Sequence, residues 1–330
     1  MTRYNILLAA GLFALALLPG ARAQAPEGLA PGPVKLTSVF PTGSGPDSVA
    51  RIVADKLQAK WGRSVIVDPK PGAAGMLAIN VVKAAPPTGN DLAVVDVGNL
   101  SINPLVFKKL SYDPEHDLMP VALLYKTAFF VAVAADGPYK TLKDLLAAIA
   151  AGGKANKPLS YGSNAVGGPI HLGSARLEDA LGVEMTHVPF KETSQLYAAV
   201  STGDVNWALG SIASAGPLVR AGKLRFLAVA DVLRSPAMPE VPTLAEAGGP
   251  KNLEALAWVA LVAPRGTPAA TVEQINKAVN EVLGLPDTRE KLAAFGFAAD
   301  PGSARQLAEL TRADRGRYAE VLKRVKVSID

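Results

Sequence analysis

Short apolar and β-branched runs recur along this chain, with longer amphipathic stretches between them. The runs are Lys35 to Phe40, Ser64 to Val67, Leu92 to Val97, Thr127 to Ala134, Leu159 to Tyr161, Met185 to Val188, Trp207 to Leu209, Arg225 to Ala230 and Ala257 to Ala263, and their make-up predicts strands. Between them apolar residues return at helical spacing. In the first such stretch Val49, Val53, Leu57 and Trp61 recur at steps of four beside Ile52, and Gly62 follows as a stop. Alternation of this kind predicts an α/β fold with mainly parallel sheets flanked by helices. Thr141 with Asp144 and Ser303 with Gln306 have the form of capping boxes, and Thr267-Pro268 places a cap before a first-turn proline. These three signals read as structure only.

Two strand-to-helix junctions carry more than a turn needs. After Phe40 the chain reads Pro41-Thr42-Gly43-Ser44-Gly45-Pro46, and a helix is expected to open at Asp47. After Tyr161 it reads Gly162-Ser163-Asn164-Ala165-Val166-Gly167-Gly168, and Pro169 begins a helix bearing His171. Each junction offers main-chain N–H groups and small hydroxyls at a helix N-terminus, the arrangement that receives an anion. Neither contains Lys or Arg. If the two belong to different domains, they face one another across a cleft suited to a carboxylate.

The start of the chain bears on where it works. Arg3 gives a positive leader, Ile6 to Leu18 is apolar but shorter than the roughly 20 residues of a membrane span, and Ala21-Arg22-Ala23 has the form of a signal-peptidase site. Residues 1–23 are therefore expected to be a cleaved signal peptide, with a mature start near Gln24 and a periplasmic, monomeric product. The chain has no cysteine, which excludes a lipid anchor on that residue, disulfides, thiolate nucleophiles and cysteine metal sites.

Composition narrows the chemistry further. A formal net charge of +5 without a Lys/Arg block gives no nucleic-acid surface. Gly43-Ser44-Gly45 lacks the third glycine and the acid of a dinucleotide fingerprint, and no phosphate-cradling Gly-Lys-Ser/Thr loop is present. No Gly-x-Ser-x-Gly elbow occurs, His171 follows Ser163 where capping or packing is the plainer role, and His116 and His187 have no metal-ligand spacing. No cofactor, metal or catalytic residue is expected, and an enzyme is the least favoured class.

The residues also carry a family likeness. The stretches Phe40 to Asp47 with Ala50-Arg51, Pro71-Gly72-Ala73-Ala74-Gly75, Ile102-Asn103-Pro104 through Asp113-Pro114, and Val188-Pro189-Phe190-Lys191 are joined by Ala221-Gly222-Lys223-Leu224-Arg225. Arg234-Ser235-Pro236 through Ala247-Gly248, and Trp258 with Ala263 to Pro268, complete the set. In this order they resemble the periplasmic substrate-binding receptors of tripartite tricarboxylate transporters, the Bug family. The resemblance implies a type II-like, Venus-flytrap binding protein of two α/β domains, the first from residues 24–125 and 230–330, the second from residues 126–229. It implies capture of a small organic acid for the transporter's membrane components, or presentation of the loaded form to a sensor kinase. The receptor's own sequence leaves these two outputs open.

Carried over position by position, the resemblance puts Phe40, Thr42, Gly43, Ser44 and Asp47 on the first ligand loop and Asp96, Val97, Gly98 and Asn99 on a second. Ser163, Asn164, Gly167 and Gly168 form the grip of the second domain, Phe190, Ser194 and Gln195 follow the Val-Pro-Phe turn, and Ser211 lies on the last loop. Three departures bear on the ligand. Gly168 and Ile170 stand where the family commonly has Ser or Thr and Gln, Glu192-Thr193 replaces a small pair, and Asp96 takes a position more often hydroxylated. Asp47 either caps its helix or accepts from the ligand. Together these features favour a carboxylate with a partly apolar frame over citrate, with Asp96, if it faces the cleft, calling for a donor on the ligand.

Overall fold

The computed structural model describes residues 29–323, so the expected signal peptide lies outside the described residues. The first sheet opens with β1 (Val34–Ser38), α1 (Gly45–Trp61), β2 (Val65–Pro69), α2 (Met76–Lys83), β3 (Asp91–Asp96), α3 (Asn103–Val106) and β4 (Leu118–Ala128). The chain then builds a second sheet from β5 (Phe130–Ala134), α4 (Leu142–Lys154), β6 (Ser160–Ser163), α5 (Pro169–Leu181), β7 (Thr186–Pro189), α6 (Thr193–Thr202), β8 (Trp207–Gly210), α7 (Ile212–Arg220) and β9 (Leu224–Val229). It returns through β10 (Leu256–Pro264), α8 (Ala269–Gly284), α9 (Pro286–Ala294), β11 (Ala298–Ala299) and α10 (Ala304–Leu322).

Strand order is β11-β4-β10-β3-β1-β2 in the first sheet and β7-β6-β8-β5-β9 in the second. The expected parallel pairing holds for β2-β1-β3 and β7-β6-β8. The strands that carry the chain between sheets run against their neighbours, so both sheets are mixed. Helices cover both faces of each. Val49, Val53, Leu57 and Trp61 of α1 are buried against the first sheet with α8, as their spacing requires, while α10 closes its opposite face through Leu307 and Tyr318. On the second sheet Leu145 and Ile149 of α4 share one core with Trp207, and Leu196 and Val200 of α6 share the other with Phe130.

The two crossings lie side by side. Phe129, between β4 and β5, donates its N–H to the carbonyl of Ala255 at 3.0 Å, and its own carbonyl accepts from Ala230 at 2.8 Å. The return expected near Ala230 is where β9 ends, but the chain reaches the first sheet only at Leu256. In between, Leu244, Leu253 and Ala255 fill the core of the second sheet, and Leu244 donates to the Val229 carbonyl at 3.0 Å. Apolar anchoring holds this irregular segment where it is.

The first helix begins two residues before the expected Asp47. Ser44 is its cap, accepting from the Asp47 N–H at 3.3 Å, and Pro46 falls in the first turn, where a missing N–H is harmless. Gly62 ends it at φ 62°, the left-handed stop expected from sequence. No helix among the described residues is long and apolar enough to cross a membrane.

Candidate ligand-binding site

In sheets with parallel strands, ligands gather beyond the carboxyl ends of those strands. Here the ends of β1 and β3 in one sheet face the ends of β6, β7 and β8 in the other, and a cavity of about 520 Å³ lies between them. That is room for a small organic molecule. The first sheet lines it with Phe40, Gly43, Ser44, Gly45, Asp96, Tyr125, Trp258 and Phe297, and the second with Asn164, Pro169, Ile170, Thr193, Ser211, Ala213 and Ser214. Among the described residues no Lys, Arg or His lines it, and Asp96 is the one carboxylate that does.

Four helices point their N-termini at this space: α1 at Ser44 to Pro46, α5 at Pro169 and Ile170, α6 at Thr193 and α7 at Ser211 to Ser214. First-turn N–H groups have no carbonyl within their own helix, so each end presents donors and a partial positive charge. Not all these donors are free. Ser44 takes the Asp47 N–H, and Ser211 and Ser214 cap α7 reciprocally at 3.2 and 3.1 Å. The N–H groups of Gly45, Ile170, His171, Ile212 and Ala213 remain to receive an anion. Gly45 is also where the two halves approach closely, since a Cβ there would stand 3.5 Å from the Ala213 methyl of the other half, and 3.0 Å from the Phe297 ring of its own.

Of the residues expected from sequence, Phe40, Gly43, Ser44, Asp96, Asn164 and Ser211 line the cavity. Thr42 is exposed and does not line it. Asp47 is buried behind the first loop, accepting from the Gly43 N–H at 2.9 Å and from Arg51 at 3.0 and 3.2 Å. The cap of α1 is Ser44 and not Asp47, whose carboxylate braces the loop instead. Val97 is wholly buried, Gly98 stands beside the Asp96 carboxylate, and the Asn99 amide donates to the Ala74 carbonyl at 2.9 Å. Phe190 packs into the second core, and Ser194 and Gln195 are exposed, with Thr193 taking the lining position.

The second loop rests on histidine. Ser163 is wholly buried, with Oγ donating to the Ala165 carbonyl at 3.1 Å and lying 2.8 Å from His187 Nε2. One hydroxyl proton serves only the carbonyl, so His187 carries its proton on Nε2 and donates to Ser163. His171 Nδ1 accepts from the Gly167 N–H at 2.9 Å, and the two imidazoles stack with centroids 3.8 Å apart. Burial pushes both below the usual histidine range, His171 to about 4, with the neighbouring ring adding to the effect on His171. Gly167 sits at φ 75°, and Gly168 caps α5 without a side chain.

The aromatic wall escaped sequence reasoning. Tyr125 and Phe297 stack at 4.1 Å, and Trp258 is fixed from behind by its Nε1–H donating to Asp314 at 2.6 Å. Trp258 stood among the family-like positions, and Tyr125 at a domain boundary, but Phe297 comes from a distant turn that no local pattern marks. Among the described residues no group of His, Asp and Glu is placed to hold a metal ion.

Comparison with known proteins agrees with this geometry. Residues 49–327 match the TctC family, described as the tripartite tricarboxylate transporter family receptor. A UPF0065 protein from the tcbD-tcbE intergenic region of Pseudomonas sp. is 31% identical over 91% of this chain and 88% of its own. The solved structure of Rhodopseudomonas palustris Rpa4515 with adipate superposes with a TM-score of 0.81 at 29% identity, covering 90% of this chain and 98% of that one. MatC from the same organism, with bound malate, gives 0.76 at 29% identity over 89% and 100% of the two chains. The chain belongs to the tripartite tricarboxylate transporter receptor family and has the two-domain fold of periplasmic binding proteins.

Proposed function

We propose that this protein is a periplasmic receptor that captures a small organic acid between two lobes and delivers it to the membrane components of a tripartite tricarboxylate-type transporter. The lobes divide at Phe129 and Ala255, the hydrogen-bonded pair at the crossings. The observation that carries the reading is the convergence of four helix N-termini, from both sheets, on a cavity without a cationic side chain. Such a site holds a carboxylate through main-chain donors, the hydroxyls of Thr193 and Ser211 and the amide of Asn164, with water filling the gaps. Hydrogen bonds to a charged group contribute about 1.5–3 kcal/mol each before ordering costs. Three or four of them sustain micromolar binding, about −8 kcal/mol.

Relatives of the same fold that hold adipate and malate support a carboxylate as the class of ligand. Binding without turnover fits the placement of the Ser163 and His187 pair, which stands behind the loop and outside the cavity lining. Because both lobes contribute donors, a bound acid favours the closed arrangement through contacts that the open one lacks. Thermal melting in the presence of small carboxylates and their matched amides tests the reading. A carboxylate at 100 times its Kd adds about 2.7 kcal/mol to stability while its amide adds little. Equal shifts from acids and amides would overturn the proposal.

A further inference from the structure

Asp96 ends β3 and faces the cavity from the first lobe. One of its oxygens is committed, since Oδ1 accepts from the Asn99 N–H at 3.0 Å while Asn99 Oδ1 accepts from the Asp96 N–H at 3.1 Å, a reciprocal cap on the helical run that follows. That helix N-terminus is therefore already answered by the protein's own carboxylate, unlike that of α5, which has no side-chain cap. Asp96 is paired with no Lys, Arg or His among the described residues. Across the three strands β3, β10 and β4 the residues Asp96, Val259 and Tyr125 share one register, and Phe297 stacks on Tyr125 in the same cavity lining. Burial pushes the Asp96 carboxyl above its usual range, as expected of an acid that lacks a counter-charge.

Resting on the carboxylate reading of the cavity, we propose that the ligand is a monocarboxylate with an apolar frame whose other end carries an amine, held against Asp96. The helix N-termini of α1, α5, α6 and α7 take the carboxylate. The aromatic floor takes the frame, and the unpaired side of Asp96 takes the amine. A second carboxylate at that end meets a like charge among aromatic walls with no cation to offset it, so diacids of matched length are rejected. The cavity thus selects an ω-amino acid over the diacids that related receptors hold.

Titration calorimetry at neutral pH on the intact mature protein tests this with three matched sets: aminobutyrate, butyrate and succinate; aminocaproate, caproate and adipate; aminomethylbenzoate, toluate and terephthalate. In the set that binds most tightly, the amino acid exceeds the diacid by about ten- to hundredfold. Asp96→Asn, which preserves the helix cap, erases that preference, and Asp96→Ser does the same with a different cap. A wild-type protein that binds the diacid as well as the amino acid, or an Asn variant that keeps the preference, overturns the inference and leaves the carboxylate receptor standing. Failure of every carboxylate in the three sets to bind overturns the receptor reading itself.

Discussion

The two Gly-rich loops look alike in sequence and are supported by opposite chemistry. Behind the first, an ionised pair does the work: Asp47, 1% exposed, accepts from the Gly43 N–H and is bridged by Arg51. Behind the second, a neutral imidazole accepts from the Gly167 N–H, stacked on a second imidazole that holds Ser163. The first loop uses its own carboxylate to satisfy a donor that might otherwise be taken for a ligand contact. The second leaves its N-terminal turn uncapped and open at Ile170 and His171. A glycine-rich helix start is therefore not one device, and its free donors are known only once its internal partners are counted.

The largest break in the comparison comes from pH. Protonating His171 at Nδ1 would turn an acceptor into a donor facing the Gly167 N–H. Its folded pKa of about 4 lies below the unfolded histidine value of 6.5, so its stabilising contribution is complete above 6.5 and is lost as pH falls through 4. Chemical denaturation across that window should show a loss of roughly 2–3 kcal/mol assigned to this residue. His171→Asn, which keeps an acceptor near the same place, flattens the slope; an unchanged slope would mean that the loop does not rest on the neutral ring.

Removing the ionised support comes next. Asp47→Ala removes a buried carboxylate that holds the part-buried Gly43 N–H, and frees Arg51, so it should cost about 2 kcal/mol in a denaturant melt. A loss within experimental error would show that water replaces the carboxylate. A smaller effect follows from crowding where the halves meet. Gly45→Ala places a methyl 3.5 Å from that of Ala213 in the other half and 3.0 Å from the Phe297 ring beside it, so carboxylate affinity falls by about three- to tenfold while the melting point barely moves. A drop in melting without a drop in affinity would contradict the assignment of Gly45 to the cleft. Smallest of all, Gly168→Ser adds a side-chain cap to α5 against a tight Ala165 contact of 3.1 Å and should alter stability by only a few tenths of a kcal/mol.

Much of the architecture was legible. The stripe of α1, its Gly62 stop and the capping boxes at Thr141 and Ser303 all form as their spacing requires. Thr267 does not cap α8; Pro268 takes that position and the Thr267 hydroxyl donates to the Pro264 carbonyl at 2.8 Å. Most of β4 was hidden by Pro120, which argues against a strand interior, yet the strand tolerates it beside a register shift opposite Val262. Within the site, the loops could be read because glycine, proline and hydroxyl residues cluster locally. Phe297 and the stacking of His171 on His187 could not, because such contacts join residues far apart in the chain and leave no periodic trace. Asp96 was visible as an unexpected acid, but only the fold shows that it faces the cavity without a cation.

The most direct test of the whole account is a crystal structure of the protein with the tightest-binding carboxylate from a matched panel. The carboxylate oxygens are expected within hydrogen-bond distance of first-turn N–H groups from both lobes, those of Gly45, Ile170 and Ala213 among them, with no Lys or Arg side chain in contact. A carboxylate seated on a cationic side chain, or touching one lobe alone, would contradict it.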